Sequence, residues 1–358
     1  MEVPTSHFNT LQLRNVSYFS FFSELYRSDH IATTVETLAL MTVFLISVLA
    51  NVGTGFLVTR ERRSLVNKTV LTLNLFVADL LFVSMTPLIV VVRWAVSWRL
   101  GNAACRAMLY VISMSGCVTI TTLACISVER VMAILRLHPA PTLNPRMVCA
   151  TLGCIWAFSA LTSMPLSLFF TVREVESFDE RNIQICTLMW PDMLAEIVWD
   201  VAFTALCFLV PGLVIVFSYS KILQLSKRSR RRLHPCESPS RLNRVHHYVS
   251  RQDIKLFRTL FVLMLSFFIM WSPIFIITFL ILMRNFQSLY VTSTMFFWVV
   301  TFTLANSALN PILYSLCQFR HGWRRLCCVS MVTPMKRASK ANGHRQERGP
   351  TPHKVYTI

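Results

Sequence analysis

The chain has 358 residues, 54% hydrophobic and 15% charged, an apolar share above the roughly 45–50% of soluble domains, so lipid is the expected solvent. The net charge of +18, from 35 basic and 17 acidic residues, points to nucleic acid or an anionic membrane surface. Nine glycines, eleven cysteines and no internal repeat exclude a repeat array and a small disulfide scaffold.

Residues 1–32 read as a polar tail. It holds Glu2, Arg14, Glu24, Arg27, Asp29 and His30 without an apolar core, so no cleavable signal peptide is expected. Asn15-Val16-Ser17 is an acceptor sequon on that tail, which marks Asn15 for glycosylation. Seven continuous apolar stretches follow within 33–317, at about 34–59, 70–92, 103–134, 148–172, 193–220, 256–283 and 292–316. Each reaches the ~20 residues that a helix needs to cross a ~30 Å hydrocarbon core. Continuous rather than alternating hydrophobicity predicts helices, not barrel strands. The expected fold is therefore an all-α membrane protein, a seven-transmembrane helix bundle. Residues 318–328, with Trp323, Leu326 and basic neighbours, read as a short amphipathic interfacial helix. Residues 329–358 read as a disordered cytoplasmic tail.

Orientation follows from Lys and Arg. With the N-terminus outside, eight basic residues fall outside (Arg14, Arg27, Arg93, Arg99, Arg106, Arg173, Arg181 and Arg284) and 27 fall inside. The basic charge is then a property of the cytoplasmic face, and the nucleic-acid reading loses its support. In this topology Cys105 and Cys186 lie in or beside the outer loops, where an oxidising compartment lets them bridge. Cys327-Cys328 beside the inner face suits palmitoylation. Ser330, Thr333, Ser339, Thr351 and Thr357 are candidate phosphosites. Lys227–Arg232 is a basic run suited to anionic lipid or a cytoplasmic partner.

Polar residues inside the spans are expensive to bury and are functional candidates. They are Asp79 in Asn74-Leu75-Phe76-Val77-Ala78-Asp79; Glu129-Arg130 ending the third stretch; Trp156; Pro211 and Tyr219; Met270-Trp271-Ser272-Pro273; and Asn306-Ser307 with Asn310-Pro311-Ile312-Leu313-Tyr314. In that order and spacing the chain resembles the rhodopsin-like G-protein-coupled receptors over about 32–328. Asn51, Asp79, Arg130, Trp156, Pro211, Pro273 and Pro311 stand at that family's most characteristic positions, one in each helix. Val131 and Met270 depart from its usual Tyr and Cys. Within the family, stretches such as Phe208–Val216 and Ser266–Pro273 resemble the receptors for long-chain free fatty acids.

The resemblance implies an activation switch of Glu129, Arg130, Asp253, Ile120, Pro211, Phe267, Tyr219, Asn310, Pro311 and Tyr314. Arg130 pairing with Asp253 or Glu129, and releasing as the sixth helix swings out, would bias a two-state equilibrium. It implies a mid-membrane network of Asp79, Thr119, Asn306 and Ser307 that can hold a sodium ion. No other cofactor and no other metal is expected. It implies a multi-pass plasma-membrane receptor, not an enzyme. Its partners would be a heterotrimeric G protein (of the Gq class), arrestin, receptor kinases and membrane lipid. For the ligand it implies a medium- to long-chain fatty acid held by Arg93, Trp98, Ser113, Trp190, Trp199, Phe203, Trp271 and Phe296. Arg93 would clamp the carboxylate, unless Glu36 or Asp200 neutralises it, and the aromatic faces would carry the acyl chain.

Other classes fare worse on the residues. Ile112 stands where amine receptors carry an Asp, which disfavours an amine ligand, and no lysine lies between Lys68 and Lys221 or between Lys255 and Lys336, which excludes a retinal Schiff base. Asp79 is the one clear mid-membrane acid and the nine histidines fall in tails and loops, so an intramembrane protease lacks its catalytic pair. Paired broken helices and internal repeats, the marks of a seven-helix transporter, are not seen. A receptor for another lipid or for a peptide remains the alternative.

Overall fold

A computed structural model describes residues 10–13, 16–22, 30–60, 66–95, 97–135, 145–176, 182–231, 251–283 and 291–318. Among the described residues, seven helical spans are long and apolar enough to cross a membrane. They are built from α1 (His30–Arg60), α2 (Val66–Val83) with α3 (Thr86–Trp94), α4 (Gly101–Leu135), α5 (Pro145–Phe169), α6 (Met193–Thr204) with α7 (Val210–Arg231), α8 (Arg251–Met283), and α9 (Ser293–Leu304) with α10 (Asn306–Gln318). Three spans are thus interrupted where the sequence reads as one run. The second breaks at Ser84 and Met85, just before Pro87, which has no N–H for the preceding turn. The fifth widens into a π turn over Ala205–Leu209. There Val210 N–H bonds back to Ala205 O, and Pro211 one residue later has no N–H with which to restore the α register. The seventh breaks at Ala305, between the buried Leu304 and Asn306. Pro165, Pro273 and Pro311 lie inside helices.

Strands, absent from the sequence reading, form two hairpins at one end of the bundle. β1 (Thr10–Leu13) pairs antiparallel with β2 (Val16–Phe19), and β3 (Phe170–Glu176) with β4 (Asn182–Leu188). Cys186 on β4 is joined by a disulfide to Cys105 near the start of α4, with their Cα atoms 5.7 Å apart. The second hairpin is thereby fixed over the third span. Trp98 locks the same corner: its backbone N–H donates to Gln184 O at 2.6 Å and its indole N–H to Gly101 O at 2.9 Å.

Side-chain hydrogen bonds tie the spans at mid-depth. Asn74 donates to Thr122 Oγ1 and accepts from Trp156 Nε1, each at 2.8 Å, joining the second, third and fourth spans. Asn51 donates to Ser307 O at 3.0 Å, joining the first and seventh. Large apolar residues face outward on many helices, among them Leu49, Leu161, Leu213 and Ile269. That is the pattern of a bundle surrounded by hydrocarbon.

Candidate ligand cavity and its coupling to the far end

A cavity of about 330 Å³ opens among the third to seventh spans beneath the two hairpins, at the lower end of the size range for small-molecule sites. An almost continuous run of rings follows its wall, all but Phe169 and Phe208 lining it. Phe169 meets Trp190 at 4.2 Å between centroids, Trp190 meets Trp199 at 5.5 Å, and Trp199 stacks on Phe203 at 4.9 Å. Phe275 and Phe208 carry the run on to Phe267, which stacks on Trp271 at 5.6 Å. Phe82 also stacks on Trp271, at 5.3 Å. Gly116 on α4 makes room for this arrangement, because a Cβ there would overlap the six-membered ring of Trp271.

Of the ligand contacts expected from sequence, Ser113, Trp190, Trp199, Phe203, Trp271 and Phe296 line the cavity. Arg93 and Trp98 do not. Arg93 is 3% exposed and committed elsewhere. Its Nε and Nη2 donate to Glu36 Oε2 at 3.0 and 2.7 Å, its Nη1 to Phe22 O at 2.9 Å and its Nη2 to Thr294 Oγ1 at 3.2 Å. The guanidinium also lies 4.8 Å over the Phe297 ring. Glu36, not Asp200, is its carboxylate partner. No Lys, Arg or His lines the cavity among the described residues, whereas Glu196 and Asp200, one turn apart on α6, do. Trp190 Nε1 is buried without a hydrogen-bond partner among the described residues.

The sequence reading missed the roof. Phe19, Phe21 and Phe22 come from the tail and are buried, 2–7% exposed. They pack edge-on against Phe296 at 6.3, 5.1 and 5.3 Å. Ser293 Oγ donates to Ser20 O, and Arg93 holds Phe22 O. The available signal was four aromatics within Tyr18–Phe22 of an otherwise polar tail.

Beneath the floor the polar residues divide. Trp271 Nε1 donates to Asn306 Oδ1 at 3.2 Å, linking cavity to network. Asp79 accepts from Asn310 Nδ2 at 2.8 Å and from Thr119 Oγ1 at 3.2 Å. Ser307 Oγ instead shares a hydrogen with Ser47 Oγ at 2.8 Å. Ile120 and Phe267 lie on the cavity wall, and Pro211 is buried one turn beyond Cys207.

At the far end Glu129 and Arg130 are both 9% exposed, Tyr219 is buried, and Pro311 is buried in α10. Glu129 Oε2 and Arg130 Nε have no hydrogen-bond partner among the described residues. Asp253 lies on α8 and Tyr314 on α10, but their side chains lie outside the described residues, as do Asn15, Cys327, Cys328 and the expected interfacial helix and tail. No cluster of three or more His, Cys, Asp or Glu suited to a metal occurs among the described residues.

The sequence pattern of the family described as "7 transmembrane receptor (rhodopsin family)" matches residues 50–314. Free fatty acid receptor 4 of Mus musculus is 49% identical over 326 residues, covering 89% of each chain. Its Rattus norvegicus counterpart is 50% identical over 321 residues, covering 88% of this chain and 87% of its own. Somatostatin receptor type 5 of Rattus norvegicus is 29% identical over 282 residues, covering 76% of this chain and 72% of its own.

Proposed function

Because the chain belongs to the rhodopsin family of seven-transmembrane receptors, a family of receptors rather than enzymes, we propose that it is a plasma-membrane receptor for long-chain free fatty acids. The observation that carries this reading is the ring-lined cavity, in a chain about half identical to two receptors named for free fatty acids. Each methylene taken from water into such a cavity contributes about 0.8 kcal/mol before the costs of binding. The acyl chain therefore supplies most of the affinity, and the ring faces suit its unsaturated carbons. With Arg93 held by Glu36, Ser113 is among the residues that bring a hydroxyl to the wall for a carboxyl or carbonyl.

In this reading the hairpin end faces outward, so the N-terminus is extracellular and Asn15 is available to glycosylation. The Arg130 end receives a heterotrimeric G protein of the Gq class, then receptor kinases and arrestin, with Cys327 and Cys328 palmitoylated. A ligand pressing on Trp271 acts on Asn306 directly, and so on the seventh span. Asp79 and the hydroxyl of Thr119 are hard oxygen donors of the kind a sodium ion takes, and Asn306 and Ser307 would join them on turning from Trp271 and Ser47. Such an ion would supply the positive charge that a buried carboxylate lacks.

The test is calcium release in cells expressing the chain, titrated with a saturated and a polyunsaturated long-chain acid, the methyl ester of each, and a short-chain acid. Long acids should act and the short acid should not. Two acids and no base on the wall favour a second reading, a neutral lipid. Esters more potent than acids would establish that reading instead. Silence with every lipid, at normal surface expression, overturns both.

A further inference from the structure

Two carboxylates face the cavity from one helix, and neither has a part in the function proposed above. Glu196, Trp199, Asp200 and Phe203 all line it. Their spacing of three and four residues puts them on one side of α6, so the helix face that carries the rings also carries both acids. Asp200 is half-buried, and its carboxylate accepts no hydrogen bond and joins no ion pair among the described residues. Of the described bases at the hairpin end, Arg93 is held by Glu36, and His30, Arg99, Arg106 and Arg173 are exposed. Arg173 Nε donates to Met189 Sδ at 3.1 Å. The other titratable groups on the wall are Tyr18, Cys117 and Cys207. Across from α6, the fourth span from Cys154 to Phe169 and the sixth from Arg258 to Met283 carry no titratable side chain beyond those first residues.

An ionised fatty acid laid along this wall sets another negative charge beside theirs among apolar rings, where neighbouring carboxylates resist ionising together. An acid that keeps its proton meets the same wall as a donor, and a carboxylate is an acceptor only. We propose that Asp200 selects the neutral form of the ligand: the fatty acid binds protonated, its O–H donating to the Asp200 carboxylate, with its chain left to the rings. This rests on the cavity being a fatty-acid site. The balance is one proton. The acid leaves water as a carboxylate, takes one proton from solvent, and holds it against Asp200 when bound. No covalent bond between ligand and protein forms.

The experiment measures binding of tritiated decanoic acid to purified full-length receptor in lipid nanodiscs, against its free aqueous concentration and corrected on empty nanodiscs. Methyl decanoate and 1-decanol, which do not ionise, are the controls. From about pH 7 to about pH 8 the free acid is ionised, so uptake of one proton raises its dissociation constant about tenfold per pH unit. The ester and the alcohol should each bind with one constant throughout. Asp200→Asn, whose amide donates to a bare carboxylate, should flatten the slope and bind the acid more tightly than wild type at the alkaline end. Asp200→Glu should keep the slope. A merely structural Asp200 would shift the constant equally at every pH. A flat profile in the wild type overturns the proposal and leaves the fatty-acid reading standing, as does an unchanged slope in Asp200→Asn. Decanoic acid that binds at no pH overturns that reading and the proposal with it.

Discussion

Arg93 and Glu36 show how a side chain's type can be read while its role is not. A basic residue ending the second span invites pairing with a ligand carboxylate, but span ends carry no sequence mark of which acid lies across the gap. The structure places Glu36 there, both side chains nearly sealed from solvent. Removing one member of such a pair leaves the other charge buried, typically a loss of about 3–5 kcal/mol, whereas replacing both by apolar residues is often neutral. Arg93→Ala should therefore lower the thermal midpoint of purified receptor, and Arg93→Leu with Glu36→Leu should recover most of it. If Arg93 instead served the ligand directly, the double variant would regain stability yet stay unresponsive to every acid. Aromatic-to-Ala changes at Trp199 or Phe203 should raise the half-maximal acid concentration at least as much as Arg93→Ala does. Gly116→Ala is the converse case, a small addition where the Trp271 ring has no room. It should alter signalling without ligand, measured as basal calcium or nucleotide exchange, because the displaced indole loses its bond to Asn306.

At the scale of the element, span number and approximate bounds were legible because each run is long, apolar and ended by charge. The interruptions were not. A proline in a membrane helix kinks it, breaks it or leaves it straight, and the outcome depends on which neighbour takes the freed carbonyl. Pro87 breaks a span, Pro273 stays within one, and Pro211 sits just past a π turn. Each residue of an α-helix advances the chain by about 100°. Deleting Ala205 should thus close the π turn into an α turn and rotate Met193–Thr204 by about that angle against α7. Trp199, Phe203 and the two acids would leave the cavity together. The expected result is loss of lipid response with the receptor still at the cell surface. An unchanged dose–response curve would mean that the cavity does not depend on this register.

At the scale of the whole molecule, the polar network was legible as a set but not as a partition. Asp79 keeps Thr119 and Asn310, Asn306 turns to Trp271, and Ser307 turns to Ser47. Sequence order placed these residues at one depth, and packing decided the pairs. The disulfide spans 81 positions and holds the hairpin above the cavity. Cys105→Ser should lower stability by about 2–5 kcal/mol and weaken lipid response beyond what reduced expression explains. Retained potency per surface receptor would show that the hairpin does not shape the site.

The aromatic roof makes departure of a bound molecule a question of time rather than of strength. Phe19, Phe21 and Phe22 are held from two sides, through Ser20 to Ser293 and through Phe22 to Arg93. An occupant below them leaves by that route only when these rings lift, so its residence is set by a local opening of the protein. Ligands of different affinity should then wash out at similar slow rates, and Phe21→Ala with Phe22→Ala should shorten all of those residence times by one common factor.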